Sequence, residues 1–373
     1  MKVSILVHSV SENNFARAYV LAKVIRRFCE VEILGPAGEG GIWEPCDTGE
    51  FVVKTTEIRG YPQFLWSAYD ILRNISGNVV YALKPRPSSY GIGLVNRIVH
   101  HKPVVLDIDD WETGLIKDRQ GHIRFLSGLC NPESFVYVWL MEHLVDCADE
   151  ITVVSDFLRN LFHRGIKVPH GRDTDWLNPA KYDGRQTRER LGLTDEIVVM
   201  WLGTPRQHKG LDDLAAAVRL LRDRKLRLVI VGAKSSHPVV QNVRNIAGDR
   251  VLCVGPRPFA ELPWFLAAAD LVAIVQRESL ATLGQVPAKL FDAMAMAKPI
   301  ISTRVSDIPK ILDGCGIVVE AGKVDQISSA MEQLIENPEL AHQLGAAARE
   351  KCVREYSFDA MEKALRSVFE AFM

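Results

Sequence analysis

The sequence predicts an α/β chain made of two tandem halves, each a parallel sheet wrapped by helices. Three observations carry this reading. Short β-branched runs alternate with helical patterns, as in βαβ units whose sheets are covered on both faces. The alternation stops once, over 173–186, and then restarts. The chain's 373 residues also exceed what one ordinary hydrophobic core organises.

In the first half, Val3–His8 reads as a buried strand, Phe15–Phe28 as a helix and Glu30–Leu34 as a second strand. Val79–Leu83 and Val104–Ile108 follow as strands, then a helix from about Val136 to Cys147 and the strand Glu150–Val154. Asp173 to Gln186 holds Pro179, Gly184 and scattered charges without an apolar period, which is the composition of a connection. The second half predicts strands at Ile197–Leu202, Leu226–Gly232, Val251–Val254, Leu271–Val275, Pro299–Ser302 and Ile317–Val319. Helices are expected at Leu211–Arg222, Phe259–Ala268 and Pro287–Ala297, then from about Val324 and Pro338, with a last one at Phe358–Phe372. The implied division is a first Rossmann-like domain over 1–176, a linker over 177–186 and a second Rossmann-like domain over 187–357. In such folds ligands bind at the carboxyl ends of the strands, so the informative residues are those in loops just after strands.

Composition narrows the function classes. Lys and Arg total 45 against 46 Asp and Glu, a formal net charge of −1, which gives no support to nucleic-acid binding. The 7 cysteines are scattered, odd in number and never in a C-x-x-C pair, so they read as free thiols of a reducing compartment. The amino terminus enters an apolar run with no small-residue cleavage site and is expected to be a strand rather than a signal peptide. No apolar stretch is long enough to span a bilayer. No G-x-G-x-x-G follows a strand, which removes a nicotinamide dehydrogenase.

The first chemically informative loop is Gly203-Thr204-Pro205-Arg206-Gln207-His208-Lys209-Gly210, between a strand and a helix. Gly203 permits a sharp turn, while Arg206 and Lys209 place a guanidinium and an ammonium where a pyrophosphate could sit. A solvated basic loop would look the same. The second runs from Gly284 through Gln285, Val286 and Pro287 to Lys289 and Asp292. Pro287 suits a first helical residue. Lys289 in the first turn opposes the helix dipole unless an anion docks there. Asp292, three residues on, shares a face with Lys289 and could accept hydrogen bonds from ribose hydroxyls or pair with Lys289 at the surface.

The segments WLGTPRQHKGLDDL, LRLVIVGA, VGPRPFAELPWFLAAADLVAIV, VPAKLFDAMAMAKPIIST and SDIP occur in the order found in one enzyme group. VPHGRDTDWLNP and ITVVSDFL fit it too. Together they resemble the GT-B retaining glycosyltransferases related to glycosyltransferase family 4, from about Cys147 to near the carboxyl terminus, with a looser match before. The resemblance implies two Rossmann-like domains facing each other across a cleft, with a carboxyl-terminal helix over 358–373 crossing back to the first domain. It implies transfer of a sugar, with retention of configuration, from a nucleotide-diphosphate sugar to an unidentified acceptor such as a surface-polysaccharide or glycolipid precursor. No cofactor and no obligatory metal are expected.

By the same resemblance Arg206 and Lys209 grip the donor diphosphate, with Gly203, Gly284, Gln285, Val286, Pro287 and Lys289 around it, and Asp292 holds the ribose. The group often has two glutamates with seven residues between them, the spacing that separates Gly284 from Asp292 here. The first of the pair is therefore absent, and Glu278 is a candidate replacement. In the first half the group commonly has a histidine where LDIDDWE places Asp109 and Asp110, and these two are the expected catalytic or acceptor-orienting carboxylates. Asp107-x-Asp109 mimics a metal-binding D-x-D, but hard cations need a pre-arranged oxygen cage, and no metal ligands are assigned. Ser9, Asn13 and Asn14, after the first strand, are expected on the acceptor side. His8 reads as a satisfied histidine rather than a base.

Two stretches combine aromatic and basic residues, Tyr61–Tyr69 with Arg73, and Trp111–Phe125 with Lys117, Arg119 and Arg124. Helix packing explains such stretches, and so does contact with a membrane or lipid-linked acceptor. The expected setting is cytoplasmic, with peripheral contact at the inner membrane face. Two rival readings use the same scaffold: a sugar-nucleotide 2-epimerase, and a non-catalytic homologue that binds a nucleotide-sugar or a partner glycosyltransferase.

Overall fold

A computed structural model describes residues 1–120 and 128–372. The chain forms two compact units, Met1–Gly171 with Phe358–Met373, and Arg172–Ser357.

In the first unit the strands are β1 (Lys2–Leu6), β2 (Glu30–Ala37), β3 (Val53–Glu57), β4 (Val79–Leu83), β5 (Val104–Ile108), β6 (Glu150–Val153) and β7 (Ile166–Lys167). They form one parallel sheet in the order β3-β2-β1-β4-β5-β6-β7. Between them lie α1 (Phe15–Ile25), α2 (Phe64–Asn74), α3 (Ile92–His100), α4 (Glu112–Gln120), α5 (Phe135–His143) and α6 (Asp156–Leu161). β1, β4 and β5 are the central strands and read as nearly unbroken apolar runs because helices cover both faces. One face packs on α1 through Phe15, Ala18, Leu21 and Ile25, joined by Met361, Leu365 and Phe369 of the last helix. The other face packs on α2, α3 and α5 through Ile71, Ile92 and Met141.

The second unit holds α7 (Arg185–Arg190), β8 (Ile197–Leu202), α8 (Leu211–Leu220), β9 (Leu226–Val231), α9 (Pro238–Ala247), β10 (Val251–Val254), α10 (Leu262–Ala268) and β11 (Leu271–Ile274). It continues with α11 (Leu280–Leu283), α12 (Ala288–Ala295), β12 (Ile300–Thr303), α13 (Ile308–Ile311), β13 (Ile317–Val319), α14 (Val324–Glu336) and α15 (Pro338–Glu355). Its parallel sheet has the order β10-β9-β8-β11-β12-β13, with β8 and β11 in register at Leu271–Val199 and Val272–Met200. In both sheets the strand order reverses beside the first strand, which is where open α/β sheets leave a crevice at their carboxyl ends. The last helix, α16 (Phe358–Phe369), returns to the first unit and packs on α1.

Several elements differ from the sequence reading. β3, β7, α2, α3, α4, α6, α9, α11 and α13 are additional to it. The stretch 177–186 is not a free connection: Leu177 is fully buried in the core of the second unit, Trp176 packs against Phe259, and α7 starts at Arg185. Anchoring by isolated apolar side chains leaves no period to detect. Pro287 is the residue before α12 rather than its first, with extended backbone (ψ 120°). α2 buries Phe64, Ser67 and Ile71, while Leu65, Trp66 and Tyr69 face outward. Of the second aromatic stretch, Lys117 lies over the Phe135 ring, whereas Arg124 and Phe125 fall outside the described residues.

Candidate functional site

In the second unit the loop after β8 is shaped by glycines. Gly203 has φ +112° and Gly232, after β9, has φ +101°, and a Cβ on Gly232 would stand 3.1 Å from the Gly203 carbonyl oxygen. Gly210 has φ +61°, and a Cβ there would come within 2.3 Å of the Val275 carbonyl. Bare backbone therefore lets the ends of β8, β9 and β11 converge. The loop after β11 is tied to the loop after β8 through Arg277, whose N–H donates to the His208 carbonyl at 2.9 Å and whose guanidinium grips Asp213 at 2.7 and 2.8 Å.

Cations gather at this end of the sheet. Arg206 and Lys209 are half-buried, and Lys209 Nζ donates to the Thr204 carbonyl at 2.9 Å. Lys289, from the first turn of α12, donates to the Leu202 carbonyl at 2.8 Å and stands 3.9 Å from the centre of the Trp201 ring. A Cβ on Gly203 would lie 4.0 Å from Lys289 Nζ. Burial, then the nearby Lys209 charge, hold the Lys289 ammonium well below its ordinary pKa, against a smaller pull from Asp292. The arrangement suits a polyanion, which would relieve the mutual repulsion of the cations and find the amino end of α12.

Gly284, Val286 and Pro287 are buried, and Gln285 is half-buried. Gln285 Oε1 accepts from Nε2 of Gln276 at 3.4 Å. Gln276 is a 3 %-exposed amide at the end of β11 that sequence reading missed, since a single glutamine after a strand carries no pattern. Asp292 is not beside Lys289 at the surface: its carboxylate is buried and ion-paired with Arg172. Glu278 is exposed in the loop between β11 and α11. Gly203, Lys209 and Lys289 thus come together, whereas Asp292 is turned to Arg172.

A second constellation lies at the carboxyl ends of β1, β4 and β5. Asp109, Asp110 and Glu112 converge closely enough to hold a metal ion, but Lys84 fills their centre, with Nζ 3.0, 2.7 and 2.6 Å from the three carboxylates. Lys84 is buried in the left-handed region at φ +68°, a costly backbone state that the three ion pairs help hold. Burial opposes its charge, but Asp109, Asp110 and Glu112 outweigh it and the net shift is upward. Arg86 bridges Glu112 to Glu133. Burial, then the neighbouring carboxylates Asp110 and Asp107, raise the Asp109 pKa to about 6 against the pull of Lys84. Asp107 faces elsewhere: Arg17 grips both its oxygens at 3.0 and 2.9 Å, so the D-x-D does not act as one chelate.

Ser9 is buried and its hydroxyl accepts from the Ser11 N–H at 3.2 Å. Asn13 is exposed, and Asn14 pairs its amide with His8 Nε2. Burial, then Arg86 and Lys84, hold His8 well below its ordinary pKa, so it is neutral and can accept that hydrogen bond. Lys84, Arg86, Glu112 and Glu133 were missed from sequence. Lys84 and Arg86 do follow a strand within ALKPRP, which was the available signal.

Residues 196–337 match the family described as glycosyl transferases group 1. The chain is 26% identical over 246 residues to an alpha-D-kanosaminyltransferase of Streptomyces kanamyceticus, with 62% of each chain covered. It is 32% identical over 220 residues to a GDP-mannose-dependent alpha-(1-6)-phosphatidylinositol monomannoside mannosyltransferase of Mycolicibacterium smegmatis, covering 54% of this chain and 57% of that one. The chain thus spans about three fifths of the length of these curated relatives. Among solved structures it is similar to Anabaena HepE in complex with UDP and glucose, at a TM-score of 0.78 and 16% identity over 99% of both chains. Among the described residues no helix is long and apolar enough to cross a membrane. The chain therefore has the two-unit α/β fold of GT-B structures, and a stretch of its second unit, residues 196–337, is similar to the glycosyl transferases group 1 family.

Proposed function

We propose that the protein is a glycosyltransferase that takes a sugar from a nucleotide-diphosphate donor bound by the second unit. The observation that carries this is the cation cluster at the end of β8, where Lys289 is tethered to the Leu202 carbonyl beside Lys209. Breaking the bond between the sugar and the diphosphate leaves negative charge on the departing phosphate. Pre-placed Arg206, Lys209 and Lys289 would stabilise that charge without reorganising. This supports transfer without an obligatory metal, and the family resemblance supports retention of configuration. On the first unit, Asp109 and Asp110 are the proposed acceptor-orienting groups, and Ser9, Asn13 and Asn14 are further proposed acceptor-side residues.

The curated relative acting on a phosphatidylinositol monomannoside supports a glycolipid or polysaccharide precursor as acceptor. The outward residues of α2 and α3 support peripheral contact with the cytoplasmic membrane face, since Trp66 is 71% and Ile98 is 73% exposed with Arg73 alongside. Co-sedimentation with vesicles containing phosphatidylglycerol tests this contact, and Trp66→Ser should reduce it.

Calorimetry with UDP-, GDP-, ADP- and CMP-sugars, without metal, tests the central reading. Selective binding by the wild type, lost in Arg206→Ala/Lys209→Ala, is expected. Failure of the folded wild type to bind any of them would remove the proposal. One observation favours a second reading, a non-catalytic nucleotide-sugar binder: Gly284 has no side chain and Asp292 is held by Arg172. Tight donor binding without turnover on any acceptor would select it.

A further inference from the structure

We infer that Arg172 is a positioning residue that orients the Asp292 carboxylate to receive the ribose hydroxyls of the nucleotide. The inference rests on the proposed donor reading, in which Asp292 meets the ribose.

Arg172 is the first residue of the second unit and is 7% exposed. Hydrogen bonds from backbone and side chain fix it within that unit. Its backbone N–H donates to the Tyr356 carbonyl at 2.8 Å, beside the parallel bridge between Arg172 and Ser357. Its Nη2 donates to the Ala288 carbonyl at 2.7 Å, in the first turn of α12. Its Nε donates to Asp292 Oδ1. The guanidinium is thus held at both ends, and its planar fork sets the plane of the carboxylate.

The contact is uneven. Nε engages Oδ1 closely, while Oδ2 stands 3.5 Å from Nη2, beyond a strong hydrogen bond. A carboxylate has about four lone-pair sites, so Arg172 can occupy one oxygen and leave the other able to accept from a hydroxyl. Arg172 also supplies the opposite charge that pairs the buried Asp292 carboxylate. Aspartate is one methylene shorter than glutamate, so it cannot swing to meet a ligand, and its orientation has to be imposed from behind.

The test compares a nucleoside diphosphate, chosen by the calorimetric panel, with its 2′,3′-dideoxy counterpart. Binding is measured for the wild type, Arg172→Lys and Asp292→Asn, with thermal melting to confirm folding. The wild type should prefer the ribonucleotide by about tenfold to a hundredfold, the range of hydrogen bonds to a charged group. Asp292→Asn and Arg172→Lys should both bring that preference close to one. If Asp292→Asn keeps the full preference, the ribose assignment fails. If Asp292→Asn loses it but folded Arg172→Lys keeps it, only the positioning role fails. A readout on the wild type covers the case in which Arg172→Lys does not fold. With nitrogen-15 arginine, the Arg172 Nε–H resonance should shift with the ribonucleotide and not with the dideoxy form, and an unmoved resonance overturns the inference.

Discussion

Lys289 Nζ reaches back from the first turn of α12 to the Leu202 carbonyl, 2.8 Å away at the last residue of β8. This one hydrogen bond joins the two loops that sequence reading had singled out separately. It also puts the ammonium over an indole face, with Lys209 near enough to lower its pKa.

A bound diphosphate should raise the Lys289 pKa, because an anion favours the charged amine. Between the free and bound values, donor binding takes up a proton and affinity falls as pH rises. Calorimetry in buffers of different ionisation enthalpy should show this uptake, and Lys289→Met should abolish it while weakening binding about tenfold or more. Equal uptake by the variant would mean that another group titrates.

Lys84→Met should destabilise the first unit by about 3–5 kcal/mol, the usual cost of removing one partner from a buried ion cluster. Three carboxylates would then converge without their cation. The loss should be partly recovered in Lys84→Met/Asp109→Asn, which removes one of the charges. Denaturant unfolding of the two variants checks it, and a Lys84→Met protein as stable as wild type contradicts the network.

Asp109 has a folded-state pKa of about 6, above its ordinary value. The folded form therefore holds its proton more tightly than the unfolded chain does. The stability this contributes is complete below the ordinary aspartate pKa and is lost as pH rises toward 6. Asp109→Asn should remove that decline, and melting temperatures taken from pH 4 to 7 for both proteins would reveal it.

Gly210→Ala should cost at least about 2 kcal/mol, combining a left-handed backbone with a steric conflict. The new Cβ would lie 2.3 Å from the Val275 carbonyl oxygen. Donor affinity should fall as well, because Gly210 closes the turn that carries Lys209. Unfolding curves and donor titration on the same preparation separate the two effects.

How much of this was legible depended on whether a feature leaves a local pattern. β8, β11 and α12 were readable because burial on both faces writes unbroken apolar runs and a helical stripe into neighbouring residues. β7 has only Ile166 and Lys167 and offers too few positions for a pattern. Leu177 looked like part of a connection because its apolar partners come from elements distant in sequence. The glycine-shaped loop and the cations Arg206 and Lys209 could be named in advance because they follow a strand directly, and Lys289 because a cation in a helix's first turn opposes the dipole.

The sequence by itself determined the two parallel α/β halves and the loops that carry charge. Both follow from local periodicity and chain order. Only the tertiary structure decided which charges meet. Asp292 could be read as a ribose-binding carboxylate or as a surface partner for Lys289 three residues away, and the structure adds Arg172, 120 residues earlier, as its ion-pair partner. Asp109 and Asp110 looked like open carboxylates, yet Lys84 lies among them. Pairing between charges acts through space over a few ångströms, and a linear sequence gives no measure of that distance.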